Sequence, residues 1–213
     1  MIDKKIKIVG VGGEGRSGKD TLADIFLSDG YYGVSMGDIV REYARKRHAH
    51  SKDPISRANT TETSNWLRLT YGPDFVLEEA LRRFKEAKVT SEGLLLWSVR
   101  APVEADFIKS HDGVLIFVNT KADIRYERAM QNLREGEPKL SFEDFMLQEN
   151  LQIKPQPGIP VEVQMDHSYI KNSANIVLEN NDSDLNKFVK YCHDLAKNID
   201  KYTGLKDQVT LTV

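Results

Sequence analysis

Apolar residues in this chain fall into short unbroken runs, separated by longer stretches in which they recur at helical spacing. The runs at 6–11, 94–99, 113–118 and 174–178 predict buried parallel strands, and 31–35 predicts a further one. The stretches 19–28, 39–47, 61–71, 73–87, 102–110, 121–134, 141–150 and 185–199 predict helices. Local chemistry sets several boundaries. Asp29 and Gly30 stop the first helix. Asp38 is expected to cap the second, and Pro73 to sit in the first turn of the fourth, after a break at Gly72. Ser141, with Asp144 three residues on, starts another helix in a capping-box-like relation. Loops are expected around Pro54, at 135–138 and at 155–160, and the tail after Tyr202 reads as peripheral. Strands alternating with helices predict an α/β fold with a mainly parallel sheet. No internal repeat or low-complexity segment interrupts the pattern.

Composition narrows the class. A chain of 213 residues, 40% hydrophobic and 29% charged, suits one globular domain with a full core. The lone Cys192 excludes an internal disulfide and is expected to be an inert thiol on the last helix. A net charge of −2 argues against a general binder of nucleic-acid polymers. No apolar run approaches the ~20 residues of a membrane span. Residues 1–5 lead directly into a strand, so no signal peptide is expected and the cytoplasm is the expected location. The five histidines, His48, His50, His111 and His167 among them, lack metal-site spacing and read as surface or packing residues.

The chemistry concentrates after the first strand. Gly13, Glu14, Gly15, Arg16, Ser17, Gly18 and Lys19 match GxxxxGK between a predicted strand and a predicted helix. Glycines let the backbone turn so that successive N–H groups surround a phosphate. The helix that follows aims its N-terminal N–H groups at the same anion. Lys19 would reach the outer phosphates of ATP. The same stretch matches GxGxxG through Gly13, Gly15 and Gly18, with Asp38 spaced like a ribose-binding acid, so a nicotinamide-dependent oxidoreductase is a rival reading. Lys19 favours the triphosphate. The residue after that lysine is ordinarily Ser or Thr, whose hydroxyl holds Mg²⁺. Here Asp20 stands there and Thr21 follows. A carboxylate can ligate Mg²⁺; an acid at a helix start is also favoured by the dipole alone.

With these residues the chain resembles the nucleoside monophosphate kinase group of P-loop proteins over most of residues 5–190. The resemblance is strongest to phage-type deoxynucleoside monophosphate kinases, whose loops also carry Gly-Lys-Asp-Thr. It extends to dephospho-coenzyme A kinases and related archaeal kinase-like proteins. The resemblance implies roles for further residues. In the segment 35–41, Asp38 lies in the acceptor region and Arg41 grips the acceptor phosphate, as a guanidinium fork suits phosphate oxygens. Arg57 would be a second phosphate contact, and Arg68 either a third or a surface charge. Trp66 would pack between helices or stack on a base. Val99, Arg100 and Glu104 resemble the Val-Arg…Glu signature after the third strand. Arg100 sits at a strand's C-terminal end, where open α/β sheets bind ligands, and Glu104 is expected to orient it through a salt bridge. Arg125, Arg128 and Arg134 resemble lid arginines that neutralise charge during transfer. Asn180 falls in the segment beside the adenine. One departure stands out: Leu96, Trp97 and Ser98 offer no acid at the end of the third strand, where these kinases commonly carry one.

The expectation is a single three-layer P-loop NTPase-fold domain. Its core would be 1–37, 91–124 and 172–200, with a helical acceptor-binding insertion at 38–90 and a lid at 125–160. The expected activity is ATP- and Mg²⁺-dependent phosphotransfer to a small phosphorylated acceptor, a (deoxy)nucleoside monophosphate. Dephospho-coenzyme A or another metabolite as acceptor, and nucleotide binding without catalysis, are the alternatives beside the oxidoreductase. Nothing in the sequence sets the oligomeric state.

Overall fold

The computed structural model describes residues 6–133, 139–153, 158, 160–205 and 207–213. Along the chain, β1 (Lys7–Gly13), α1 (Lys19–Ser28), β2 (Tyr32–Ser35), α2 (Met36–Arg47), α3 (Arg57–Tyr71) and α4 (Phe75–Ala87) come first. They are followed by β3 (Gly93–Val99), α5 (Pro102–Ser110), β4 (Val114–Asn119), α6 (Ala122–Gln131) and α7 (Phe142–Ile153). The chain closes with α8 (His167–Ser173), β5 (Ile176–Glu179), α9 (Leu185–Lys197) and β6 (Val209–Thr212). The six strands form one all-parallel sheet in the order β2-β3-β1-β4-β5-β6.

Helices cover both faces, giving three layers. On one face Leu22, Ala23 and Phe26 of α1 pack with Phe188, Cys192 and Leu195 of α9 against Val9, Val11, Ile116 and Val118. On the other, Ile39 of α2, Leu77 of α4, Ile108 of α5 and Ile170 of α8 pack against Leu94, Leu96 and Phe117. Strands buried on both faces explain why the sequence shows continuous apolar runs instead of alternation. Cys192 is fully buried, and burial pushes its thiol up to about 12. No helix among the described residues is long and apolar enough to cross a membrane.

The strand order bears on the rival reading. In dinucleotide-binding folds β1 lies between β2 and β4; here β3 takes the place of β2 beside β1. This is not the sheet of a nicotinamide-dependent oxidoreductase.

Several local expectations are corrected. Ser35, not Asp38, caps α2, its hydroxyl accepting from Asp38 N at 3.1 Å. The helix therefore begins on the last residue of β2 with no loop between them. Pro73 precedes α4, which starts at Phe75. The tail is not peripheral: β6 pairs with β5 from Ile176↔Val209 to Glu179↔Thr212 and extends the sheet. The short α8, capped by Asp166 through Tyr169 N at 2.9 Å, has no counterpart in the sequence expectation.

Candidate active site

The phosphate loop joins β1 to α1, and its backbone is confined at both ends. Gly13 has φ 144° and Gly18 φ 102°, in the region that favours glycine. A Cβ on Gly13 would fall 2.6 Å from Val118 O, and one on Gly18 would fall 2.5 Å from Asn180 Nδ2. The loop is clamped from behind through Ser17, whose carbonyl accepts from Asn180 Nδ2 at 2.8 Å and Thr120 Oγ1 at 2.9 Å. Asn180, expected beside the adenine, is thus buried beneath the loop as its clamp. Ser17 Oγ is buried with no hydrogen-bond partner among the described residues. Lys19 is only 4% exposed, with Nζ 3.3 Å from the exposed Asp20 carboxylate. Thr21 lies half-buried in the first turn of α1.

This loop forms one wall of a cleft of about 1120 Å³ at the C-terminal ends of the parallel strands. Gly15, Arg16, Lys19 and Asp20 line it on the loop side; Arg41, Arg57 and Trp66 face them from α2 and α3. Arg100 lies between, at the end of β3. Burial, then the nearby Arg41 and Arg57, push its guanidinium down to about 10, which leaves it charged at neutral pH. Such convergence of like charge is unfavourable without an anion and focuses a positive potential in the cleft. Arg41 is steadied by Asp38 one turn earlier, Nε to Oδ1 at 3.0 Å. The Arg47 guanidinium stacks over Trp66 at 4.2 Å, and Trp66 packs edge-on against Tyr71. Trp66 packs between elements, one of its two expected roles, and also lines the cleft.

Glu104 does not pair with the Arg100 side chain. One carboxylate oxygen accepts from the backbone N–H groups of Arg100 and Ala101, at 2.7 and 3.0 Å. The other meets Arg68 Nη2 at 2.8 Å. Glu104 thus caps α5 and fixes the Arg100 backbone, leaving the guanidinium to the cleft, where Nη1 lies 3.8 Å from Met165 Sδ. Arg68 is buried and is not a surface charge. The acid missing from the end of β3 is matched by strain: Ser98 has φ 60°, at a register shift where β1 passes from pairing with Trp97 to pairing with Val99.

Two of the arginines expected in a lid reach the loop backbone. Arg125 is buried, donating to Thr120 O at 3.1 Å and Gly15 O at 3.4 Å. Arg128 donates to Arg16 O at 3.3 Å, Asn180 O at 3.4 Å and Asp182 O at 3.0 Å, and burial lowers its pKa. Arg134 lies outside the described residues. α6 and α7 are joined by Tyr126, which packs on Phe142 and Phe145 and donates to Leu140 O at 2.9 Å. Glu14, half-buried in the loop, is held above the usual carboxylate range by burial, with Arg125 opposing the shift.

Two residues escaped sequence reasoning as parts of this site. Glu149 of α7 is buried between Arg57 and Arg125. His167, 3% exposed at the start of α8, has neither ring nitrogen hydrogen-bonded among the described residues. Burial, then Arg100, Lys19, Arg125 and Arg57, push its imidazole down to about 3, so it is neutral in use. Neither residue carries a local signal, because the partners come from distant elements.

The residues fit a nucleoside triphosphate: the loop is a glycine cradle, its lysine is in place, and cations converge opposite. Among the described residues no group of three His, Cys, Asp or Glu could hold a metal ion. A nucleotide-borne Mg²⁺ would meet Asp20 and phosphate oxygens, a ligand set this ion accepts.

The sheet order and the glycine loop define a protein with the three-layer P-loop kinase-like fold. No family model matches the chain. A UPF0200 protein of Pyrobaculum aerophilum is 30% identical over 146 residues, 68% of this chain and 76% of the relative. Another, of Thermococcus sibiricus, is 31% identical over 144 residues, 66% of this chain and 72% of the relative. The chain belongs to the UPF0200 family. In fold it is similar to TT1252 from Thermus thermophilus (TM-score 0.56, 19% identity, covering 93% of this chain and 99% of that one). It is also similar to a shikimate kinase from Bacteroides thetaiotaomicron (TM-score 0.54, 10% identity, 92% and 98% covered). At these identities the likeness is one of fold.

Proposed function

We propose that the chain is an ATP-dependent phosphotransferase that moves the γ-phosphoryl group to a small phosphorylated acceptor, a (deoxy)nucleoside monophosphate. One observation carries this reading. A single cleft holds the loop with Lys19 on one wall, Arg41 and Arg57 on the facing wall, and Arg100 between them. Two phosphate-bearing ligands could meet there head to head. In the transfer, an acceptor phosphate oxygen forms the new P–O bond while the bond from the γ-phosphorus to the β–γ bridging oxygen breaks and ADP leaves. The attacking oxygen is already anionic, so no general base is required. Lys19 and Arg100 would balance the charge that spreads over the transferring oxygens, the main task of a protein in this chemistry. Arg41 and Arg57 would hold the acceptor, with Asp38 steadying Arg41. Arg128, and Arg134 beyond it, would act from the lid side. Asp20 would hold a bound Mg²⁺ or its waters, and the ion would supply positive charge against the phosphates.

Nucleotide binding without transfer is the second reading. It is favoured by the absence of an acid at the end of β3, which leaves Asp20 as the acid of the loop that would face the metal. The test is an assay of ADP formation with ATP, Mg²⁺ and a panel of ribo- and deoxyribonucleoside monophosphates, dephospho-coenzyme A and shikimate. Turnover of one acceptor, lost in Lys19→Ala and Arg100→Ala, supports transfer. ATP binding with no turnover across the panel supports the second reading.

A further inference from the structure

Glu149 is 3% exposed, and its two carboxylate oxygens serve different elements. Oε1 accepts from Arg57 at the start of α3, and Oε2 accepts from Arg125 on α6. Arg125 also donates to the Gly15 carbonyl at 3.4 Å. A methyl group on Gly15 would lie 3.4 Å from Arg57 Nη2 and 3.7 Å from Glu149 Oε1. The carboxylate therefore rests on the phosphate loop itself, at a glycine, between two guanidinium groups. To a guanidinium, a carboxylate and a phosphoryl group offer the same feature, a fork of anionic oxygens at hydrogen-bond distance.

We propose that Arg57 and Arg125 form an oxyanion subsite above Gly15, that Glu149 is its internal occupant, and that a ligand phosphoryl group competes with Glu149 for it. The two anions exclude each other, since like charges at contact distance in a buried setting repel strongly. Glu149 joins the α6–α7 unit to α3, so a phosphoryl group that displaces it also unties the lid side from the acceptor side. Until then the single carboxylate balances one of the two positive charges it bridges, which offsets part of the cost of holding both arginines against the loop. The inference rests on the phosphate-binding part of the proposed function and not on transfer.

The test is calorimetric binding of inorganic tripolyphosphate to the full chain and to the variants Glu149→Gln and Arg57→Gln, at one ionic strength. Glu149→Gln keeps the side-chain shape and removes the competing charge; it should bind about tenfold more tightly. Arg57→Gln should bind about tenfold more weakly. Equal or weaker binding by Glu149→Gln overturns the inference, because the carboxylate would then be holding the arginines in place for the ligand. Unchanged binding by Arg57→Gln, or no binding by any of the three proteins, overturns it too. If Glu149→Gln lacks a cooperative unfolding transition, the comparison of Arg57→Gln with the unsubstituted chain decides. Tripolyphosphate is not a phosphotransfer pair, so a chain that follows these expectations yet transfers nothing would refute the kinase reading alone.

Discussion

Arg68 and Glu104 are buried partners across the floor of the cleft, Nη2 to Oε1 at 2.8 Å, both side chains at most 2% exposed. Ser64 Oγ takes another Arg68 hydrogen bond, and the remaining Glu104 oxygen serves the backbone of Arg100 and Ala101. The pair holds the turn that presents Arg100. Arg68→Met leaves Glu104 charged and uncompensated, and such losses cost about 3–5 kcal/mol. Denaturant unfolding should show this loss. If Arg68 were instead a ligand contact, Arg68→Met would leave stability near that of the unsubstituted chain and would weaken acceptor binding alone.

Asn180 clamps the phosphate loop through Ser17 O, a contact to the loop backbone. Asn180→Ala should therefore weaken ATP and GTP binding by the same factor, and tripolyphosphate binding as well. A base-reading asparagine would show a loss confined to one nucleotide. Isothermal titration with the three ligands separates the two outcomes.

His167 makes stability depend on pH. Its imidazole titrates near 6.5 when unfolded and about 3 when folded, because burial and the surrounding Arg100, Lys19, Arg125 and Arg57 disfavour the cation. Between those values the unfolded chain holds a proton that the folded chain lacks, so stability falls as pH drops below about 6.5. The slope from this group should approach about 1 kcal/mol per pH unit. Denaturant melts from pH 7.5 to 5 on the unsubstituted chain and on His167→Gln measure it. The variant should lose that part of the slope, whatever its stability at pH 7.5. Equal slopes would contradict the buried, neutral imidazole.

Ser98 carries a left-handed backbone at the end of β3, a conformation costing a non-glycine residue about 1 kcal/mol or more. Ser98→Gly should raise the unfolding free energy, by up to about 1 kcal/mol after glycine's own entropy is set against the gain. Destabilisation would mean that the hydroxyl contributes more than the strain costs.

What could be read from the sequence was local in origin. The strands announce themselves as apolar runs because both faces of a parallel sheet are covered. The phosphate loop is legible because its chemistry lies in consecutive residues, Gly13 to Lys19. Features made by distant partners left no such trace. Arg57 and Glu149 are 92 positions apart, and Arg68 and Glu104 are 36 apart. Glu104 was expected to meet the Arg100 guanidinium; capping α5 gave its carboxylate a different set of donors. The helix holding His167 has seven residues and gains its burial from packing on β1, a tertiary effect. β6 has four residues, alternates half-buried with exposed, and pairs with β5 alone, so it lacks the apolar density that marked the central strands.

The proposed reaction is transfer of the γ-phosphoryl group between ligands bound head to head in one cleft. The most direct test supplies ATP carrying ¹⁸O in its γ-phosphoryl group, Mg²⁺ and the nucleoside monophosphate panel, and follows the label by mass spectrometry. The expected result is label in a nucleoside diphosphate formed from one acceptor class, absent with Lys19→Ala and with Arg100→Ala. Label found only in inorganic phosphate, or left wholly in ATP despite measurable nucleotide binding, would contradict it.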